Sequence, residues 1–464
     1  MTGAGLLSRT DETAVNAEKI KRFEATLRGY LIRPDAATYD AARRVHNAMI
    51  DKRPALIARC AGVSDVVNAV NFARENDLLL AIRGSGHNVA GTAVCDGGIV
   101  IDLSELKGIR VDPAQRTVRA EPGVTWAEFD HETQAFGLAT TGGAVSTTGI
   151  AGLTLGGGIG VLMRKHGLAC DNLRSVDVVT ADGSLRTASA SENSDLFWAL
   201  RGGGGNFGIA TSFEYRIHPV GPVLGGLVLH PLDRAKDLLA FYRELTATAP
   251  EELTAYFALV TSPDGAPMSA IFACYAGPLA TGEAVLRPVR EFGPPVADLI
   301  APMPYTAIQK TFDAGEPPGL LNYWKSSFLR EISQDIIDAI TDTWGSVPSP
   351  LTSIVIEHLG GAVDRVGASE TAFSHRGVPY SFTAASLWRE ASQSDKNIQW
   401  TRRLWEALQP AADGAVYSNY LGQDEGDDRV RAAYGSNYQR LVALKKKYDS
   451  TNLFRTNQNI KPTV

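Results

Sequence analysis

Cysteine is scarce in this 464-residue sequence, and the four cysteines stand far apart. They are separated by 35, 75 and 104 positions, with no CxxC pair and no cluster of histidines beside them. A zinc site needs closely spaced thiol and imidazole ligands, and a disulfide scaffold needs more cysteine. The sequence therefore predicts no metal site and no disulfide framework. We expect all four to be small buried side chains: Cys60, Cys95, Cys170 and Cys274.

Long apolar runs are also missing, and positive charge is not in excess. No stretch approaches the roughly 18 apolar residues that a membrane-spanning helix requires. The formal net charge of −6 gives no general attraction for nucleic acid or anionic membranes. The first thirty residues mix acidic and basic side chains and lack the apolar core of a secretion signal. We expect a cytoplasmic protein with neither nucleic acid nor membrane as partner, and its oligomeric state stays open.

Glycine is abundant and concentrated in three clusters. The first is Arg83-Gly84-Ser85-Gly86-His87-Asn88, just after an apolar run, and the others span 149–160 and 201–208. Glycine at this density is costly in backbone entropy. It indicates that the chain passes very close to something bulky and anionic, which backbone N–H groups can hold. A flavin dinucleotide meets that description.

The first half of the chain changes pattern along its length. Residues 54–60 and 78–82 are predicted strands around a helix over 65–76 with Ser64 as its N-cap. This β-α-β unit places the 83–88 turn at a strand end. Alternating segments within 109–120 and 176–188 predict two β-hairpins.

The pattern of predicted strands and helices changes after Pro219. Strand candidates at 224–229, 255–261 and 270–275 precede helices, and further strands are predicted at 353–359 and 380–387. Strands with helices on one face indicate an α+β domain built on an antiparallel sheet. The other face of such a sheet is free for a ligand.

The length of the chain favours more than one domain. We predict an N-terminal part, a substrate-binding domain with an antiparallel sheet covered by helices on one face, and a C-terminal segment that returns to the first part. The predicted boundaries are 1–218, 219–414 and 415–464.

Four elements in this order resemble the FAD-linked oxidases that have the vanillyl-alcohol-oxidase or PCMH-type FAD-binding domain, and within them the berberine bridge enzyme-like group. They are the segments 83–88, 149–160, 201–209 and 447–460. The resemblance implies an α+β fold with a two-subdomain FAD-binding domain. It also implies a flavoprotein oxidase with a small-molecule substrate.

In this group the histidine of the first motif is bonded to the methyl carbon of the flavin ring, and His87 occupies that position. Many relatives carry a second link from a cysteine, and Val145 stands there instead. The resemblance therefore implies FAD held covalently through a single histidine. Leu153 replaces a common histidine, and Thr148 replaces a residue thought to control oxygen access.

The resemblance also implies a set of FAD contacts beside His87. They are expected from Arg83, Gly84, Ser85, Gly86, Asn88, Thr148, Gly149, Gly152, Thr154, Gly156, Gly157, Gly160, Ile209, Asn419 and Asn457. For Gly203 and Gly204 a tight turn is as good an interpretation as direct contact.

Members of the group pass a hydride to flavin N5 while a base takes a proton from the alcohol or amine. A tyrosine with a lowered pKa often serves as that base. Here the matching segment is 416–420, and we favour Tyr420 with Tyr417 as its flavin-side neighbour, although the roles could be reversed. Other members use a carboxylate after the FxHR motif, but the strand from Tyr380 has none. Tyr380 is expected to line the substrate pocket, while Glu357-His358 and Tyr323-Trp324-Lys325 are weaker candidates.

Three functional hypotheses follow. The first is an oxidase of a sugar, alcohol or amine, reoxidised by dioxygen to hydrogen peroxide. The second is a dehydrogenase of the same fold that uses another electron acceptor. The third is a flavoprotein that only binds a ligand.

Overall fold

The computed structural model describes residues 15–463. Within this range the chain has an α+β architecture, with a small mixed sheet, a five-stranded antiparallel sheet, a two-stranded pair and one large antiparallel sheet. No helix in these residues is long and apolar enough to cross a membrane. The predicted fold class is confirmed.

The small sheet contains the β-α-β unit. Its strands are β1 (Tyr30–Ile32), β2 (Leu56–Arg59), β3 (Leu80–Arg83) and β4 (Ile99–Asp102). Strand β4 lies between β2 and β3 and is parallel to both, so the strand order is β1-β2-β4-β3.

The crossover helix of this unit, α3 (Val63–Glu75), begins one residue before the predicted cap. Ser64 does not cap it, because the N-cap position is Gly62 without a side-chain bond. Buried Asp65 instead accepts hydrogen bonds from the backbone amides of Arg28, Gly29 and Ala61 at 2.8–2.9 Å. The helix start is thus tied to the preceding chain.

The five-stranded sheet has the order β5-β6-β10-β8-β9 and contains both predicted hairpins. Its strands are β5 (Ile109–Asp112), β6 (Thr117–Ala120), β8 (Leu173–Val179), β9 (Leu185–Ser189) and β10 (Ile209–Arg216). Helix α4 (Trp126–Gln134) packs on it and starts with a capping box between Thr125 and Glu128. A short pair joins β7 (Leu138–Ala139) to β11 (His218–Pro219).

The large sheet has the order β15-β12-β14-β13-β18-β19-β17, and β16 also pairs with β12. Its strands are β12 (Val223–Pro231), β13 (Leu253–Thr261), β14 (Pro267–Tyr275), β15 (Ala297–Asp298), β16 (Ala301–Met303), β17 (Leu321–Leu329), β18 (Ser353–His358) and β19 (Tyr380–Trp388). Four helices cover one face: α8 (Ala235–Ala247), α9 (Leu279–Glu291), α11 (Gln334–Trp344) and α12 (Ser394–Leu408). The other face packs on the first half of the chain, where Tyr256 and Phe272 share a core with Ile159 and Leu168.

The other helices are short, apart from the last one. They are α1 (Ala17–Glu24), α2 (Tyr39–Arg43), α5 (Ile150–Leu155), α6 (Met163–His166), α7 (Ser194–Leu200), α10 (Tyr305–Ile308), α13 (Asp427–Tyr434) and α14 (Tyr438–Tyr448). All four cysteines are free and buried, as expected.

The tail is fastened to the first half by a buried ion pair. Lys445 donates to Asp449 Oδ2 at 2.7 Å and to the backbone oxygens of Asn206 and Phe454 at 2.8 and 2.7 Å. Asp449 also accepts from the amides of Leu453 and Phe454. Both charges are fully removed from solvent and have several partners. The pair therefore fixes how α14 and the chain after it meet the 201–208 cluster.

We predict that Lys445→Met lowers the free energy of unfolding by about 3–5 kcal/mol, because it leaves the Asp449 carboxylate buried without a counter-charge. Urea unfolding followed by fluorescence measures the loss. The matched control is Lys447→Met, since Lys447 is 58% exposed in its pair with Asp195 and that change should be small. Equal effects of the two changes would contradict the prediction.

Candidate active site

An elongated cavity runs between the two halves of the chain, with a void of about 1500 Å³ that includes space open to solvent. Its wall is formed by all three glycine clusters, by residues of the tail and by Trp324 of the large sheet. Of the predicted site residues, thirteen line it: Gly84, Ser85, Gly86, His87, Asn88, Thr148, Gly149, Gly152, Ile209, Tyr417, Asn419, Tyr420 and Asn457.

The turn after β3 is locked to the second glycine cluster. The amide of Gly149 donates to Ser85 Oγ at 2.9 Å, and a Cβ at position 149 would lie 2.6 Å from that same oxygen. Gly86 has φ +77°, a left-handed conformation that favours glycine. Glycine at 149 and 86 thus allows the two loops to meet and turns the chain into His87.

The ring of His87 stands at the cavity wall beside a second imidazole. Its Nε2 lies 3.4 Å from Thr147 Oγ1, and its ring stacks on that of His46 with 3.9 Å between centroids. Burial, together with the neighbouring His46, lowers the pKa of His87 to about 3. His87 is therefore a neutral imidazole at ordinary pH, which is the nucleophilic form.

Other glycines leave the wall without side chains. A Cβ built at Gly152 or Gly205 would meet no atom within 4 Å, so these positions open onto the cavity. Gly204 also lines the cavity, whereas Gly203 packs against the backbone oxygen of Ala199. Backbone edges exposed in this way suit a bulky anionic ligand. The residues present thus fit a flavin dinucleotide, with His87 able to hold one part of it.

Tyr417 and Asn419 are held by the second glycine cluster. The Tyr417 hydroxyl accepts from the amide of Gly158 at 2.8 Å and from Asn419 Nδ2 at 2.7 Å. Asn419 also donates to the backbone oxygen of Leu153 at 3.1 Å. Burial raises the pKa of Tyr417, so its hydroxyl stays protonated. This hydroxyl is a fixed part of the wall.

Tyr420 has a partner that sequence reasoning ranked low. Its hydroxyl donates to Oε1 of Glu357 on β18 at 3.1 Å, and Trp324 packs edge-on against its ring. Burial raises the pKa of Glu357 to about 7, and the neighbouring hydroxyls of Ser381 and Tyr420 offset part of that rise. Burial and Glu357 also raise the pKa of Tyr420 well above 10, whereas a lowered value was expected. Removal from solvent next to an acid, without a neighbouring cation, explains the difference.

Five predicted cofactor contacts do not line the cavity. The Arg83 guanidinium donates to the backbone oxygen of Ala42, and Thr154 Oγ1 bonds the Tyr215 hydroxyl at 2.9 Å inside the core. The three glycines are required by close packing instead. A Cβ would strike Asn419 from Gly156, Phe373 from Gly157 and the backbone oxygen of Gly142 from Gly160. The structure thus shows all five residues in contacts within the protein and away from the cavity lining.

Tyr380, which was expected to line the substrate pocket, lies elsewhere. Its hydroxyl bonds Thr246 Oγ1 at 2.7 Å, and its ring belongs to the core beneath the helices of the large sheet. It therefore faces away from the cavity. Arg376, four residues before Tyr380 in the chain, pairs with Asp171 through bonds of 2.8 and 2.7 Å and so connects the two halves.

Several lining residues were not identified as cofactor contacts. Trp324 was named only as part of a weaker candidate group, Tyr323-Trp324-Lys325. The others have small or ordinary side chains, with no signal besides their neighbours: Val89, Thr92, Ala144, Thr456 and Gln458. Val145, Leu153 and Thr148, the three departures from the family pattern, all line the cavity.

Comparisons with known proteins show the family of this chain. Residues 54–189 match the family described as FAD binding domain, and residues 416–461 match the family described as berberine and berberine like. An FAD-linked oxidoreductase of Dictyostelium discoideum is 34% identical over 448 residues, covering 96% of this chain and 97% of that protein.

Two further similarities concern nicotine oxidases. The (R)-6-hydroxynicotine oxidase of Paenarthrobacter nicotinovorans is 31% identical over 452 residues, which cover 94% of this chain and 97% of that protein. The crystal structure of 6-hydroxy-D-nicotine oxidase from Arthrobacter nicotinovorans has a TM-score of 0.87 at 29% identity, covering 94% of this chain and 98% of that one. With its FAD-binding domain, its tail and its cavity, the chain belongs to the berberine bridge enzyme-like family of FAD-linked oxidoreductases.

Proposed function

We propose that this chain is an oxidase that carries FAD attached through His87 alone and oxidises a CH–OH or CH–NH group of a small molecule. When bound, FAD accepts a hydride at N5, and dioxygen regenerates it with release of hydrogen peroxide. The carrying observation is the bond from Tyr420 in the cavity wall to the Glu357 carboxylate. Through this hydrogen bond a proton that leaves the substrate can pass from the cavity wall to the carboxylate.

The proton route follows from the pKa values on each side. Tyr420 is protonated and cannot accept a proton unless it releases its own. As the substrate hydroxyl or amine gives its proton to the Tyr420 oxygen, the phenolic proton moves to Glu357 Oε1. Tyr420 therefore keeps one proton throughout, and the Glu357 carboxylate is the group that gains one. Glu357, with its pKa near 7, is ionised above neutrality and ready to accept.

A single covalent link is supported by the positions of the cysteines. Val145 lines the cavity, whereas all four cysteines are buried in apolar cores. Burial also raises the pKa of the Cys60 thiol, so thiolate chemistry is disfavoured there. His87 is left as the nucleophile of the cavity wall.

We predict that His87→Ala loses covalent FAD, because the only neutral imidazole ring lining the cavity in the described residues is removed. Acid precipitation of the wild-type protein should leave the yellow colour in the pellet, whereas the variant should release it to the supernatant. The exposed His131→Ala is the matched control and should behave as wild type. Free flavin in the wild-type supernatant would refute the linkage.

The electron acceptor is tested by reducing the enzyme without air. We expect a substrate from a panel of sugars, phenolic alcohols and cyclic amines to bleach the flavin; 6-hydroxynicotine belongs in the panel because of the relative above. Admission of air should restore the colour quickly and release peroxide. Slow recovery would favour a dehydrogenase, and no bleaching by any member would favour a ligand-binding flavoprotein.

The proton route predicts a pH-dependent rate of flavin reduction. The rate should rise with pH through about 7 as Glu357 ionises, and Glu357→Gln should remove this rise. Tyr420→Phe interrupts the route and should slow reduction by about two to four orders of magnitude. Stopped-flow bleaching measures both effects.

The control for these variants is Tyr438→Phe, a tyrosine of α14 that does not line the cavity. It should leave the rate and its pH profile unchanged. An unaltered rate in Tyr420→Phe, or a pH profile that survives Glu357→Gln, would remove the respective residue from the proton route.

A further inference from the structure

His46 belongs to no motif of the sequence, yet it lies against the histidine proposed to carry the flavin. The two rings are inclined by 24° with centroids 3.9 Å apart, which is a close face-to-face contact. The backbone amide of His46 donates to the backbone oxygen of Gly86 at 3.0 Å, next to His87 in the chain. One residue thus touches the attachment turn through its backbone and its ring.

The position of His46 is fixed from the large sheet as well. Its backbone oxygen accepts a hydrogen bond from the amide of Gly319 at 3.1 Å. Two residues further on, the amide of Ala48 donates to the backbone oxygen of Leu320 at 2.9 Å. Between them, buried Asn47 donates to the backbone oxygens of Val89 and Asn322 at 2.8 and 3.0 Å. Segment 46–48 is therefore anchored in both halves of the molecule.

The ring of His46 has no other polar function in the described residues. Its Nε2 is buried without a hydrogen-bond partner, so the side chain is not held in place by a bond of its own. Its contact with His87 is a stack, in which the faces meet and the ring nitrogens do not point at one another. This geometry fits a support that sets the plane of the His87 ring and does not fit direct proton exchange between the two.

We propose that His46 is a positioning residue for flavin attachment, holding the His87 imidazole by stacking in the orientation that reaches the flavin methyl group. This rests on the proposed attachment at His87. Attachment replaces the N–H of His87 and one C–H of the methyl group by a C–N bond. The two hydrogens reduce the flavin, and dioxygen takes them up as hydrogen peroxide. Orientation matters because a small misplacement of a nucleophile is costly in rate.

The test is the rate at which full-length protein purified with little flavin converts added FAD to an acid-stable form in air. Three variants separate the flat ring from its nitrogens: His46→Ala, His46→Gln and His46→Phe. We expect Ala and Gln to slow attachment by about tenfold or more while still binding FAD that acid releases. Phe, which restores a stacking ring, should recover attachment to near the wild-type rate.

The matched control is His166→Ala. His166 stacks on His218 in the same domain, with 4.0 Å between centroids, but away from the cavity. This variant should attach FAD as wild type does. Wild-type rates in His46→Ala and His46→Gln would overturn the proposal, and so would a His46→Phe variant as slow as Ala or a control as slow as His46→Ala. A wild-type protein without acid-stable flavin would instead refute the attachment at His87 itself.

Discussion

The cavity depends on the segment Val416–Leu421, which lies between the two halves and is hydrogen-bonded to both. Tyr417 and Asn419 bind the second glycine cluster through Gly158 and Leu153, and Tyr420 binds Glu357 on the large sheet. Further along the tail, the buried Lys445–Asp449 pair is tied to the backbone oxygen of Asn206 in the third glycine cluster. The last fifty residues therefore close a wall that begins more than three hundred residues earlier.

The glycines divide into two groups with different physical reasons. Gly152 and Gly205 face open space, where a side chain would occupy the cavity. Gly156, Gly157 and Gly160 face protein atoms so close that a Cβ could not be accommodated without displacement. Both groups exclude side chains, and a sequence presents them as one run. Only the direction in which a Cβ would point distinguishes a glycine that faces the ligand space from one that faces protein atoms.

Features set by neighbouring residues could be predicted from the sequence, whereas features set by distant contacts could not. Local patterns predicted the hairpins and the β-α-β unit, and the structure contains both. A local pattern also singled out His87, which lines the cavity, while its bond to the flavin stays a prediction. Strand β17 was not predicted, because buried polar side chains such as Asn322 and Lys325 interrupt its apolar pattern. Lys325 can be buried there because it pairs with Glu425, which is distant in the chain. Glu357 was ranked low and His46 was missed for the same reason. The role proposed for each depends on a neighbour that is distant in the chain, Tyr420 for Glu357 and His87 for His46.

Glu357 differs in its partners from two other buried carboxylates of the molecule, Asp449 and Glu425. Asp449 and Glu425 are each paired with a lysine at 2.7–2.8 Å, which holds the two carboxylates in place. Glu357 has no such cation among the described residues, and its hydrogen bond comes from a neutral phenol. Its charged and neutral forms are therefore close in free energy near neutral pH, as its pKa of about 7 indicates. A carboxylate balanced in this way can both gain and lose a proton, as the proposed proton route requires.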